Sequence, residues 1–203
     1  MSIVTDVREN RGIVELSVDG VRFVRIRKKH FDQQPLAAGE AIDPDQYLDA
    51  IASKQFKDAY EAALTSLDFS ARTEDEIERS LVRRGYVAPA ARAVVEKLRE
   101  ARLLDDAQYA ARLAEGASKK SAGIYAVRRK LRAKGIREED AEQALMQLSD
   151  AQQAQAARET CAKLQRKYAS LPPREARAKL SQALARRGFS WDAIAAALEG
   201  IEE

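Results

Sequence analysis

Apolar side chains in the first thirty residues fall into three short β-favouring runs, Ile3 to Val7, Ile13 to Val18 and Val21 to Ile26. Asn10-Arg11-Gly12 and Asp19-Gly20 separate them, and glycine supplies the positive φ that tight hairpin turns demand, so the pattern predicts a small N-terminal β-meander. At Asp43 the period becomes helical. Asp43 suits an N-cap, Pro44 suits the first helical position, and Tyr47, Leu48 and Ile51 give a short apolar face. A separate helix is expected from Lys54 to Leu67, with Phe56, Tyr60 and Leu64 on one side.

The rest of the chain repeats itself. Gly85, Gly135 and Gly188 set the frame: four residues before each stands Leu81, Leu131 or Leu184, and eight before stands Ile77, Val127 or Leu180. Tyr86, Ile136 or Phe189 follows directly, and the next helix continues the match with Ala91, Ala141 and Ile194, then Val95, Leu145 and Leu198, then Leu98, Leu148 and Ile201. A helix that buries its i, i+4 pair, a glycine that ends it, and an apolar residue that turns the chain inward again make a helical hairpin. The glycines are too far apart for two helices alone, and Asp105 to Ser118 and Asp150 to Tyr168 supply a third in each gap. The expected organisation is a mainly α chain of three tandem three-helix repeats, at 54–103, 104–149 and 150–203, behind a region 1–53 holding the meander and a short helix. Units that touch mainly their neighbours predict an elongated, curved array with a concave face suited to macromolecules.

Capping signals agree with these boundaries. Thr73-Glu74-Asp75-Glu76 is a capping box, Asp105 and Ser190 suit N-caps, and Pro89 and Pro173 sit near helix starts. Asp105-Asp106 therefore reads as a cap and a first-turn acid, not a metal pair.

Composition narrows the chemistry. A single cysteine, Cys161, excludes an internal disulfide, and a single histidine, His30, leaves little from which to build a metal site or a triad. Cys161 continues the stripe of Leu164 and Tyr168 and is expected to be buried; His30, beside Arg27, Lys28 and Lys29, is expected at a solvated strand end. Phosphate-loop, dinucleotide-binding, HExxH and CxxC motifs are absent, so neither cofactor nor catalytic set is expected. Apolar runs fall short of the ~20 residues of a membrane span, and no basic stretch with an apolar signal core opens the chain; a cytoplasmic protein is expected.

Charge is nearly balanced, with 35 basic and 32 acidic residues, and that balance hides one local excess. Residues 116–137 carry Lys119, Lys120, Arg128, Arg129, Lys130, Arg132, Lys134 and Arg137 without one Asp or Glu. In the frame above, Ile124, Val127 and Leu131 face the core, which turns Arg128, Arg129 and Arg132 outward with Tyr125 one turn earlier. Guanidinium forks bind phosphate or carboxylate, and a neighbouring tyrosine stacks on a base or packs at a protein interface. Lys119, Lys120, Tyr125, Arg128, Arg129, Arg132, Lys134 and Arg137 are the candidate binding residues, for nucleic acid or for an acidic protein surface.

The stretch "LLDDAQYAARLAEGASKKSAGIYAVRRKLRAKGI", followed by "EEDAEQAL", resembles the RecX family, the bacterial regulators of the RecA recombinase. "VDGVRFVRIRKKHF", "LAAGEAID" and "YEAALTSLDFSARTEDEIERSLVRRGY" are similar to the N-terminal extension and first repeat of longer members, and "LARRGFSWDAI" carries the third repeat. The chain departs from the family at Ser121-Ala122-Gly123-Ile124, where a GYGP-like turn is common, and at Tyr109, where phenylalanine is common. The resemblance implies a non-enzymatic modulator that binds RecA and its filament on single-stranded DNA and limits strand exchange and ATP hydrolysis. For some members it also implies binding to single- or double-stranded DNA. The alternative is a stand-alone nucleic-acid-binding helical protein. Against it, the helices after Gly85, Gly135 and Gly188 are rich in alanine and acids, poor material for reading bases.

Overall fold

The computed structural model describes residues 1–118 and 121–201. It divides after Asp105 into two compact units.

The first unit begins with an antiparallel sheet of β1 (Ser2–Asn10), β2 (Ile13–Val18), β3 (Val21–Arg27) and β4 (Ala41–Ile42), in the order β3-β2-β1-β4. Both meander turns carry two successive residues at positive φ, Arg11-Gly12 and Asp19-Gly20, the requirement of the primed turns that match strand twist. Val14, Leu16 and Ile26 alternate onto one buried face. The two-residue β4 and a one-turn helix α1 (Lys28–Phe31) add to the predicted meander.

The two helices expected between Asp43 and Leu67 are one. Helix α2 runs Pro44–Phe69, capped by the Asp43 carboxylate, which accepts from the Asp45 and Gln46 amides. Residues 50–56 contain neither glycine nor proline, so nothing stops the helix at the expected break. Tyr47 and Ile51 at its start pack with the sheet, and Ala59 and Ala63 pack with α3 (Glu74–Arg83) and α4 (Ala88–Glu100). One rod thus belongs to two cores.

His30 is the second departure. It sits in α1 with 3% of its surface exposed, not at a solvated strand end, because α1 turns the chain back onto α2. Around it lies a polar network: Arg27 Nη1 donates to Tyr86 Oη at 2.6 Å, Tyr86 Oη donates to the Asp58 carbonyl at 3.3 Å, and Lys29 pairs with the Asp58 carboxylate. That ion pair holds the Asp58 carboxyl below its usual range.

The second unit holds α5 (Asp106–Ser118), α6 (Ile124–Ala133), α7 (Glu138–Met146), α8 (Asp150–Tyr168), α9 (Pro173–Arg186) and α10 (Trp191–Leu198). Ser149 forms a capping box with Gln152, and the Ser190 hydroxyl accepts from the Ala193 amide. Each three-helix group encloses its own core, and every apolar side chain of the sequence frame is buried except Ile201, which is half-buried. Cys161 is buried among α8, α9 and α10, and desolvation raises its thiol pKa.

All three frame glycines close their helices in the same way. Tyr86, Ile136 and Phe189 donate their amides to the carbonyls of Leu81, Leu131 and Leu184, and Gly85, Gly135 and Gly188 donate to those of Val82, Arg132 and Ala185. This paired 6→1 and 5→2 bonding is the Schellman motif, and it needs the left-handed backbone seen at the glycines, φ 85°, 73° and 81°. Among the described residues, no helix is long and apolar enough to cross a membrane.

Candidate functional site

Helix α6 is placed by its first turn. Gly123, its N-cap residue, donates to the Arg187 carbonyl at 3.1 Å, Tyr125 donates to the Gly188 carbonyl at 2.9 Å, and the Ile124 amide donates to Gln153 Oε1 at 3.0 Å. The orphan donors of a helix N-terminus are thereby satisfied by the third repeat. Ala126, Val127 and Leu131 face inward, which fixes what faces out.

Tyr125 is 53% exposed, and Arg129, Lys130 and Arg132 are exposed beyond it. Arg128 is different. It is half-buried, and its Nη2 donates to Glu142 Oε1 on α7 at 2.6 Å. Arg132 reaches Glu138 at 3.5 Å while remaining 74% exposed, and Arg137 pairs with Asp140 at 3.1 Å. The Lys134 ammonium lies 5.9 Å from the Tyr109 ring centroid, a cation–π contact. Lys119 and Lys120 fall outside the described residues.

The run without acids in sequence therefore has acids in space, because α7 folds Glu138, Asp140 and Glu142 back beside it. The frame held the clue: Val127 and Ala141 share one core, which puts their neighbours Arg128 and Glu142 side by side. Arg129 and Lys130 have no ion pair among the described residues, and Arg132 has only a long one, so these three carry the outward field. Lys130 was not among the sequence candidates. Such a surface offers cations and one aromatic ring to carboxylates, phosphates or a base.

Models of the three RecX three-helix domains match in chain order, the first over residues 59–98, the second over 105–145 and the third over 150–198. The regulatory protein RecX of Geobacillus thermodenitrificans is 31% identical over 194 residues, covering 94% of this chain and 68% of that protein. The chain belongs to the RecX family. A second RecX, the regulatory protein of Limosilactobacillus reuteri, is 30% identical over 188 residues, 91% of this chain and 70% of that one. The fold agrees with a crystal structure of a regulatory protein RecX at TM-score 0.67 and 27% identity, covering 99% of this chain and 98% of that one. RecX from Lactobacillus salivarius agrees at TM-score 0.69 and 26% identity, over 73% of this chain and 97% of the other. Three tandem three-helix domains are thus what this chain shares with the family, and the relatives are named regulatory proteins.

Proposed function

We propose that this RecX-family protein is a non-enzymatic, cytoplasmic modulator of the RecA recombinase that binds the RecA filament on single-stranded DNA and restrains strand exchange and ATP hydrolysis. The observation that carries the reading is family membership through all three repeats, with relatives named regulatory proteins along nearly the whole chain. Tyr125, Arg129, Lys130 and Arg132 form the proposed contact. Lys134 and Arg137 extend its field, Lys119 and Lys120 precede it in the sequence as further candidates, and Arg128 fastens α6 to α7 through Glu142. Acids in the first turn of α7, Glu138, Glu139 and Asp140, speak against that helix as a reader of DNA, since they repel phosphate.

The test follows RecA's ATP hydrolysis on single-stranded DNA with increasing amounts of this protein, alongside binding to naked single-stranded DNA. Inhibition through filament binding is expected, and Arg129→Glu with Arg132→Glu should raise the amount needed by about tenfold or more at unchanged helicity, since reversed charges repel an acidic partner. Undiminished inhibition by that double variant would move the contact elsewhere. Binding to naked DNA alone, with turnover changed only as competition for DNA predicts, would favour the stand-alone nucleic-acid binder.

A further inference from the structure

Residues 21–29 hold Arg22, Arg25, Arg27, Lys28 and Lys29 and no acid, a basic run outside the α6 face. Three of these cations are engaged within the first unit: Arg27 with Tyr86, Lys28 with Glu9 and Asp32, and Lys29 with Asp58. Arg22 and Arg25 share a single carboxylate, Glu15, at 3.7 and 3.0 Å, and Arg22 stays 71% exposed. One acid between two guanidinium groups leaves net positive charge. Their placement is the work of a bulge. Residues three apart on a regular strand point to opposite faces. In β3 the register shifts at Phe23, so that Arg22 stands opposite Ser17 and Arg25 opposite Glu15. Both arginines therefore point to the face opposite Val14 and Leu16, while Phe23 and Val24 pack onto the apolar clusters. Bulges at sheet edges re-aim side chains in this way.

β3 is also an edge strand with part of its backbone open, since only β2 lies beside it. The Arg27 amide points away from β2, to the Gly85 carbonyl, and the Arg25 amide and carbonyl, two residues earlier in the same register, point the same way. On that side Arg25 has no backbone hydrogen bond among the described residues. The far edge of the sheet is different: β4 pairs with Ser2 and Ile3, residues 39 and 40 bond Val4, and the open remainder of β1 carries Asp6 and Glu9. A bare edge invites a second copy of the chain. Here two β3 strands laid side by side would set Arg22 and Arg25 against each other, and like charges across a strand pair are unfavourable. The charges that exclude a second copy select an acidic partner.

We propose that the open edge of β3 takes a short, extended, acidic segment of a partner protein as an added strand. The Asp19-Gly20 turn bounds the edge at one end and the Gly85 turn at the other, so the pairing stretch is Val21–Arg25. The segment's backbone pairs with the Arg25 amide and carbonyl, and its carboxylates, at alternate positions that share one face, lie against the Arg22 and Arg25 guanidinium groups. Backbone pairing supplies the attachment and the two arginines supply the selection. This edge lies in the first unit, apart from Arg129, Lys130 and Arg132 on α6, so it does not depend on what that basic face binds.

The test is an NMR titration of the full-length protein with acetyl-Thr-Glu-Val-Glu-Val-Thr-amide. Saturable shifts at Arg22 and Arg25 are expected, with about tenfold slower hydrogen exchange at the Arg25 amide. The glutamine counterpart should bind about tenfold more weakly, a factor that corresponds to loss of a charge-assisted contact. Arg22→Thr with Arg25→Thr, which keeps strand-favouring side chains at the edge, should weaken the acidic peptide as much. Two further peptides carry N-methyl groups on one or the other alternate set of amides. Only the set that faces β3 should abolish binding, because a strand offers every second residue to a given neighbour. Equal effects of the two sets would make the contact one of charge alone and overturn the added strand. Absence of saturable shifts, equal binding of the glutamine peptide, displacement of the peptide by oligothymidylate, or concentration-dependent shifts at β3 without peptide, the sign of a second copy, would each overturn the proposal, whatever the outcome with RecA.

Discussion

Gly85 in the first unit and Gly188 in the second close their helices identically, yet each turn receives a different neighbour. At Gly85 the carbonyl accepts from the Arg27 amide at the end of β3 and from Gln55 Nε2, whose Oε1 accepts from the Val87 amide at 2.7 Å. At Gly188 the carbonyl accepts from Tyr125, the second residue of α6. A strand end docks in one case and a helix N-terminus in the other. The turn is a socket of outward backbone carbonyls with no side chain at the glycine, and whatever carries a spare backbone donor can fill it. A β-sheet can therefore open a chain of helical repeats without a new kind of joint.

The two sockets differ in how much they yield, and substitution should expose that. A Cβ at Gly188 would overlap the Ala126 amide and approach the Ala126 Cβ at 2.8 Å, and a Cβ on Gly123 opposite would overlap Phe189 N and the Gly188 carbonyl. These are backbone atoms with nowhere to go. Gly188→Ala adds the cost of a left-handed backbone, about 1–2 kcal/mol, to overpacking of about 1–3 kcal/mol. Gly123→Ala has an ordinary φ and should show the overpacking alone. Urea denaturation should register losses in that order. A Cβ on Gly85 would meet Ile13 Cδ1, the tip of a flexible side chain, at 2.7 Å, and the Arg27 amide at 3.2 Å. Gly85→Ala should therefore cost about 1–2 kcal/mol, chiefly from φ. Equal losses at 85 and 188 would mean that the sheet joint is as rigid as the helix joint.

Next in size is the polar clamp that only the first socket has. Tyr86→Phe removes the hydroxyl that accepts from Arg27 and donates to the Asp58 carbonyl, leaving the ring in the core. A loss of about 1–2 kcal/mol is expected. Phe189→Tyr, which adds a hydroxyl inside the apolar core of the third repeat, should destabilise instead of stabilise. If it were neutral, the difference between the two sockets would be one of space and not of polarity.

The frame of leucines and glycines made the repeats legible, because each position is decided by a short-range rule: helical period, Schellman closure, capping. The meander was legible for the same reason. What escaped notice depended on contacts distant in sequence. Nothing local marks residues 28–31 as a helix; α1 exists because Phe31 and His30 pack against α2. The continuity of α2 through residue 53 is readable in principle from the absence of a breaker; what changes there is the core partner, not the element. For the basic face, sequence supplied the cations but not their partners, since the acids that answer Arg128, Arg132 and Arg137 lie on the next helix.

The smallest effect belongs to the first socket alone, where His30 packs beside Tyr86. Burial depresses the His30 pKa below its usual 6.5, with Lys29 and Arg27 pushing the same way and Asp58 opposing. Asp58 Oδ2 lies 3.1 Å from Nε2 without the alignment of a hydrogen bond, and the ring nitrogens have no other partner among the described residues. Between the depressed folded value and 6.5 the unfolded chain holds the extra proton. Stability is therefore complete above about pH 6.5, by the ordinary histidine value, and declines as pH falls toward the folded value. The carboxylate of Asp58, depressed by Lys29, contributes its own loss only in the acid range below its usual 3.8. Urea midpoints at pH 7.5 and 5.5 should fall in the native protein and fall less in His30→Leu, which has nothing to protonate there. Parallel declines in the two proteins would assign the pH dependence to surface carboxylates and leave His30 as mere packing at the sheet joint.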